Sequence, residues 1–91
     1  MNVTLGQVVN SKAGRDAGRK FIVIDILDEF YVMVVDGDLR RTEKPKKKKL
    51  KHLELTGKII RPIEEKLKNK LRVTNSEIRK TFLQIEVEEG N

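Results

Sequence analysis

Residues 7–25, QVVNSKAGRDAGRKFIVID, decide the fold. Two valines stand before a loop that contains Gly14 and Gly18, and a run of β-branched residues follows it. Glycine adopts positive φ without a Cβ clash, so this spacing predicts a tight bend between two strands. We call residues 10–19 the glycine loop, and we expect its amide groups to be free to face phosphate. The bend would project four basic side chains from a rigid base: Lys12, Arg15, Arg19 and Lys20.

Four segments around the bend have the composition and alternation of strands. They are residues 5–9, 21–27, 31–35 and the segment that contains Leu50, Leu53 and Leu55. In the second segment we expect Ile22, Ile24 and Ile26 to share one face. A short polar break separates the second and third segments, which predicts an antiparallel hairpin. Thr56-Gly57 would end the fourth strand.

Four short strands within residues 1–57 favour a small, strongly curved barrel over a flat sheet. A flat four-stranded sheet would leave exposed edges, which soluble proteins avoid. We therefore predict a barrel in residues 1–57. Residues 58–91 form a helical extension that would pack on an open end of the barrel, so that the chain is a single folding unit. The fold class is mainly β with C-terminal helices.

Two helices are predicted in the extension. Pro62 suits the first turn of a helix, where its missing N–H has no partner to lose. Thr74 and Glu77 have the spacing of a capping box, which marks the start of the second helix. The apolar stripe of the first helix is Ile63, Leu67 and Leu71, and that of the second is Ile78, Phe82 and Ile85. Residues 85–88 also alternate like a strand, so the end of the second helix is left open.

The positive charge of the chain is concentrated in one place. The whole chain has a net charge of +6. Residues 40–51, which we call the basic segment, hold eight basic residues and one acidic residue, while the other 79 residues sum to −1. A concentrated patch focuses an electric field on a polyanion, whereas charge that serves solubility is spread out. A solvated loop of lysines is the plainer alternative.

The composition argues against an enzyme. The chain has no cysteine, and its one histidine, His52, has no Ser, Cys or second His placed for a catalytic triad or a metal set. The glycine loop lacks the Lys-Ser/Thr ending of a P-loop. We expect no catalytic residue, no metal and no cofactor. No apolar run is long enough to cross a bilayer and no signal-peptide pattern is present, so we expect a cytoplasmic protein without a membrane partner.

Residues 7–25 resemble a KOW motif. The shared features are the valines before the loop, Gly14, the Ala17-Gly18 pair, a basic residue, and a hydrophobic strand that ends in aspartate. Later segments extend the resemblance, since Val35-Asp-Gly37 and Leu50-Lys-His-Leu-Glu-Leu-Thr56 follow in the order seen in one KOW group. That group is the fourteen-e type of large-subunit ribosomal protein of archaea and eukaryotes, with short bacterial relatives. The resemblance covers residues 4–57.

The resemblance implies an SH3-like β-barrel that binds RNA, with ribosomal RNA and the ribosome as the expected partners of a monomer. Gly14 and Gly18 would hold the backbone of the loop. The RNA contacts would come from the glycine loop and the basic segment: Lys12, Arg15, Arg19, Lys20, Arg40, Arg41, Lys44, Lys46, Lys47, Lys48, Lys49 and Lys51. Of the four aromatic residues, three stand at expected core positions, so we expect contacts with phosphates and shape rather than base stacking.

Two alternatives stay open at this point. Some KOW domains of transcription elongation factors recruit proteins through the barrel face, so the chain could be a protein-interaction adaptor of the transcription or translation machinery. An adaptor needs an exposed apolar patch. Duplex DNA is the other alternative, because charge alone does not separate it from RNA.

Overall fold

The computed structural model describes residues 3–90, which form five strands and two helices. The strands are β1 (Gln7–Ser11), β2 (Lys20–Ile26), β3 (Tyr31–Val35), β4 (Lys46–Lys49) and β5 (Leu53–Ile59). A 3₁₀ turn, Leu50–His52, joins β4 to β5, and the helices α1 (Arg61–Lys68) and α2 (Asn75–Glu89) follow. The predicted fold class, mainly β with C-terminal helices, is confirmed.

The sheet curls into a barrel-like shape. All of its strand pairs are antiparallel, and the strand order is β4-β3-β2-β1-β5. β4 and β5 therefore lie at opposite edges of the sheet, yet a turn of only three residues joins them. Three residues span roughly 10 Å at most, so the two edges must approach each other. The barrel inferred from the short strands is confirmed in this form.

Both faces of the curved sheet are buried. The inner cluster consists of Val9, Phe21, Val23, Val32, Val34, Leu50 and Leu53. The outer cluster consists of Val8, Ile22, Val35, Ile63, Val73, Ile78 and Ile85. Successive side chains of a strand point to opposite faces, which is why the neighbours Val8 and Val9 belong to different clusters. The helices α1 and α2 thus cap the barrel on the face of the sheet that carries the outer cluster.

β2 contributes to both clusters, but its alternation is interrupted. The register of its pairing with β3 shifts between Val23 and Asp25, as at a β-bulge. Ile22 is fully buried and Ile24 packs against the outer cluster, whereas Ile26 is 38% exposed. The predicted common face therefore holds for two of the three isoleucines.

α2 begins at the capping box that the sequence predicts. The hydroxyl of Thr74 accepts from the N–H of Glu77 at 3.2 Å, and the carboxylate of Glu77 accepts from the N–H of Thr74 at 2.7 Å. The helix continues to Glu89, so residues 85–88 are helical and not extended. Ile78 and Ile85 are buried on the face that meets the sheet.

β4 is a strand that the sequence analysis did not predict. It consists of four lysines, and lysine has a low β propensity. Its pairing with β3 supplies the hydrogen bonds that hold it extended, and lysine is a residue that protects an edge strand from pairing with another chain. The basic segment is therefore held in register by β3 instead of forming a free arm.

Two predicted boundaries also shift. β5 continues through Gly57 to Ile59, so Thr56-Gly57 does not end it. α1 ends at Lys68, and the chain then turns through Lys70, which has a φ of +57°. As a result, Leu71 lies outside the helix and is 59% exposed, whereas the sequence placed it on the apolar stripe.

Candidate nucleic-acid interface

The glycine loop is a closed, hydrogen-bonded turn. The N–H of Gly18 donates to the carbonyl of Ser11 at 2.8 Å, and the N–H of Ser11 donates to the carbonyl of Arg19 at 2.9 Å. Gly14 and Gly18 have φ values of +77° and +86°, in the left-handed region that favours glycine. A Cβ at either position would meet no atom within 4 Å. The loop therefore needs glycine for its backbone conformation and not for space.

Several amides of the loop are already hydrogen-bonded. The donors with partners are the N–H groups of Lys12, Ala17, Gly18 and Arg19, which donate to the carbonyls of His52, Gly14, Ser11 and Asp16 respectively. These four amides are not free to face phosphate, so the expectation of an open amide cradle is wrong for them. The basic side chains of the loop are therefore the better candidates for binding an anion.

Asp16 joins the glycine loop to the basic segment. Its carboxylate lies 3.4 Å from Nζ of Lys48 and 3.6 Å from Nη2 of Arg40. The side chains of Asp16 and Lys48 are only 12% and 11% exposed, so solvent screens this pair less than an ordinary surface pair. Nζ of Lys48 also lies 3.5 Å from the hydroxyl of Ser11. The two basic regions predicted from the sequence thus meet at Asp16, and we call the glycine loop and the basic segment together the basic surface.

The lysines of β4 are divided between the two faces of the sheet. Lys46 and Lys48 stand opposite residues of the inner cluster, and Lys49 stands opposite Tyr31 on the other face. Nζ of Lys47 lies 4.6 Å and Nζ of Lys49 lies 5.6 Å from the centre of the Tyr31 ring. Both distances are within the range of cation–π attraction. Two ammonium groups are therefore held over one ring at the edge of the sheet.

Arg15 and Arg19 have different surroundings, although the sequence treats them alike. Nη1 of Arg19 lies 2.9 Å from the carboxylate of Asp36, which is only 7% exposed. The other oxygen of Asp36 accepts from the N–H groups of Asp38 and Arg40. Arg15 is exposed and makes no ion pair with any residue in 3–90. Arg19 therefore stabilises the turn after β3, while Arg15 has no such role.

Most of the twelve predicted RNA-binding side chains are available at the surface. Besides Arg19, Arg40 and Lys48, two of the twelve make exposed ion pairs: Lys20 with Glu89 at 3.8 Å and Arg41 with Glu43 at 3.3 Å. Such exposed pairs are weak. Within the described residues, seven of the twelve make no ion pair: Lys12, Arg15, Lys44, Lys46, Lys47, Lys49 and Lys51.

Three residues that organise the basic surface were not predicted as site residues from the sequence: Asp16, Asp36 and Asn75. Asp16 stands inside a basic loop, and this is a signal that could have indicated an ion pair. Asn75, at the start of α2, accepts from the N–H of Thr42 at 2.8 Å and donates to Glu43. Hydrogen bonds from Thr42 and Asn75 lower the pKa of Glu43. Asn75 and Thr42 are 33 positions apart, so no local pattern predicts their contact.

Among residues 3–90, no three His, Asp or Glu side chains lie together as metal ligands. No helix in that range is long and apolar enough to span a membrane.

The fold and the site define a class: a small β-barrel, covered on its outer face by two helices, with one basic surface. None of the protein-family models compared with the chain matches it. The chain is, however, similar to several curated archaeal proteins named large ribosomal subunit protein eL14. The protein of Desulfurococcus amylolyticus is 39% identical over 59 residues, which are 65% of this chain and 62% of that protein.

Two further relatives give the same result. The eL14 proteins of Staphylothermus marinus and Pyrobaculum arsenaticum are 33% and 34% identical over 58 residues, or 64% of this chain. The matches cover 60% and 56% of those proteins, so the chain spans about three fifths of the length of the relatives it matches. The resemblance to the fourteen-e type of large-subunit ribosomal protein is confirmed.

Proposed function

We propose that this chain is a cytoplasmic, ribosome-associated protein that binds ribosomal RNA through its basic surface. The observation that carries the proposal is the meeting of the glycine loop and the basic segment at Asp16. The similarity to archaeal proteins of the large ribosomal subunit supports it independently. The chain would act by binding and not by catalysis.

The arrangement suits contacts with phosphates. β4 holds its lysines extended along the edge of the sheet, and alternate residues of a strand are about 7 Å apart. Lys47 and Lys49 can therefore reach different phosphates of one RNA strand. Each contact releases condensed counterions, which makes the affinity depend steeply on salt. Arg40 and Lys48, which are bound to Asp16, would hold the two parts of the surface together.

The adaptor alternative also has an observation in its favour. Large apolar side chains are exposed at several places, among them Leu39 at 65% and Leu83 at 61%. Single exposed leucines are common on soluble proteins, whereas the basic segment concentrates seven net charges in twelve residues. Binding to a polyanion explains this concentration, and an apolar docking surface does not.

Fractionation of cell extract on sucrose gradients tests the proposal. We expect the chain to migrate with the large ribosomal subunit at low salt and to dissociate at high salt. A Lys47→Gln/Lys49→Gln variant should be found mostly in the free fraction. A Lys70→Gln/Lys80→Gln variant removes the same charge from the exposed helical side and should migrate like the wild type. A wild-type chain that stays free at low salt would contradict the proposal.

Binding to purified nucleic acids tests whether the chain prefers RNA or DNA. We expect tighter binding to a structured RNA hairpin than to a DNA duplex of the same sequence, because the A-form groove and the 2′-hydroxyls differ between them. Equal affinity for both would favour the DNA alternative.

A further inference from the structure

An exposed aromatic ring stands beside the end of the basic strand. Phe30, in the turn between β2 and β3, is 59% exposed. Together with Glu29, Lys49, Leu50 and Lys51 it lines a cleft of about 300 Å³, at the small end of the range for ligand pockets. Single exposed apolar side chains are common on soluble proteins, but this ring lies in a cleft that two lysines also line.

Hydrogen bonds hold the backbone of the turn that carries the ring. The carboxylate of Asp28 accepts from the N–H groups of Phe30 and Tyr31, both at 2.8 Å. The carbonyl of Phe30 accepts from the N–H of Leu50 at 2.7 Å, and Leu50 belongs to the inner cluster. The turn is thus attached to the core at Leu50, the residue that follows β4 in the chain. A ligand would meet a preorganised turn and would not have to order its backbone.

The other aromatic rings are not displayed in this way. Phe21 is fully buried, and Phe82 packs against the outer cluster. Tyr31 lies beneath Lys47 and Lys49. The expectation that base stacking is absent rested on aromatic residues at core positions, and it does not apply to Phe30.

We infer that Phe30 stacks against one unpaired base of a bound RNA, while Lys49 and Lys51 contact the neighbouring phosphates. This inference rests on the proposed RNA binding. Unpaired bases in bulges and loops are recognised by stacking on aromatic side chains, and one ring in a small cleft suits one base. Glu29 repels phosphate, which leaves the lysine side of the cleft for the RNA backbone.

A protein partner is the competing occupant. Ile26, at the end of β2, and Leu27, in the turn, are 38% and 46% exposed, and they would suit an apolar contact. Two lysines line the cleft itself, however, and it continues into the basic segment. An aromatic ring bordered by cations is complementary to a nucleotide, which combines a flat base with a negative charge.

Two RNA hairpins test the inference, one with a fully paired stem and one with a single unpaired adenosine in the same stem. We expect the wild-type chain to bind the bulged hairpin more tightly. Phe30→Ala should weaken that binding by about 5- to 150-fold, the range for loss of one base–aromatic stack, and leave binding to the paired hairpin unchanged. Phe30→Tyr should keep the preference. Leu83→Ala, which removes an equally exposed apolar side chain from α2, should have no effect.

The outcomes separate this inference from the proposed function. If the wild type binds both hairpins equally and Phe30→Ala changes neither, the stacking is refuted while RNA binding stands, and a protein contact becomes the role of the ring. An equal loss for both hairpins in Phe30→Ala also refutes stacking on one unpaired base. If the wild type binds neither hairpin, the proposed function fails as well. Should Phe30→Ala lower the melting temperature, NMR contacts between the Phe30 ring and the unpaired adenine in the wild-type complex decide, and their absence refutes the inference.

Discussion

Gly18 and Gly57 both have open space where a Cβ would stand, but only Gly18 has a positive φ, of +86°. Gly37 combines a φ of +79° with a close approach, because a Cβ there would lie 2.7 Å from the backbone oxygen of Asn75. The spacing of Gly14 and Gly18 was enough to predict the bend. The approach of α2 to Gly37 was not predictable, because it depends on a contact between distant parts of the chain.

Replacing Gly18 by valine should lower the free energy of unfolding by about 1–3 kcal/mol, since a β-branched residue is strained at positive φ. Chemical denaturation measures this loss. Gly57→Val is the matched control, and because Gly57 lies in β5 without positive φ we expect it to be neutral or slightly stabilising. Equal effects of the two substitutions would show that φ at Gly18 is not the reason for the glycine.

Neighbouring lysines of β4 should respond differently to the same substitution. Lys48→Gln removes the partly buried pair with Asp16 and should cost about 1 kcal/mol of stability, with little further effect on RNA binding. Lys47→Gln should change stability by less than about 0.5 kcal/mol, because Lys47 is exposed, and should weaken RNA binding. Thermal unfolding and RNA titration on both variants check this. If Lys48→Gln leaves stability unchanged, Asp16 does not join the two parts of the basic surface.

At the scale of secondary-structure elements, local signals correctly predicted the antiparallel hairpin of β2 and β3, whereas the pairing of β3 with β4 was not predicted. The capping box of Thr74 and Glu77 lies within four residues and correctly marked the start of α2. β4 was missed because nothing in four lysines indicates a strand, and its partner β3 supplies the reason for its conformation. The contacts of Asp16 with Arg40 and Lys48 were also missed, because they join residues that are far apart in the sequence.

The contacts of Glu77 with Lys66 and with Thr74 of the capping box make stability depend on pH. A hydrogen bond from Lys66, followed by one from the N–H of Thr74, lowers the pKa of Glu77 from 4.5 to about 2. A carboxylate with a lowered folded-state pKa stabilises the fold above its unfolded pKa, and this contribution is lost as the pH falls from 4.5 towards 2. We expect the melting temperature of the wild type to decrease as the pH is lowered through this range. Glu77→Gln should be less stable at pH 7 and lose less on acidification, and parallel pH profiles would contradict the role of Glu77.

At the scale of the whole molecule, two clusters share one sheet. The outer cluster exists only because the helices cover the outer face, so the strands alone would leave Val8, Ile22 and Val35 without cover. The Cα radius of gyration is 12.1 Å, close to the ~12 Å expected for one compact domain of this length. That residues 1–57 and 58–91 form a single folding unit stays a prediction. The sequence indicated a barrel and helices, but the apolar stripes of the helices do not determine which surface of the barrel they cover.

Ile78→Ala tests this prediction, because Ile78 is fully buried between α2 and the sheet. We expect a loss of about 2–5 kcal/mol. The helices can be followed by far-UV circular dichroism and the barrel by the fluorescence of Tyr31, the only tyrosine of the chain. In a single folding unit both signals change at the same denaturant concentration, in the wild type and in the variant. Separate transitions would show that the barrel folds without the helices.

The salt dependence of RNA affinity tests the central claim most directly. If about 4–6 phosphates are contacted, the slope of log affinity against log salt should be roughly −3 to −5 for the wild type. Lys47→Gln/Lys49→Gln should reduce the magnitude of that slope by about 1.5, and Lys70→Gln/Lys80→Gln should leave it unchanged. A wild-type affinity that stays flat from low to physiological salt would contradict binding through the basic surface.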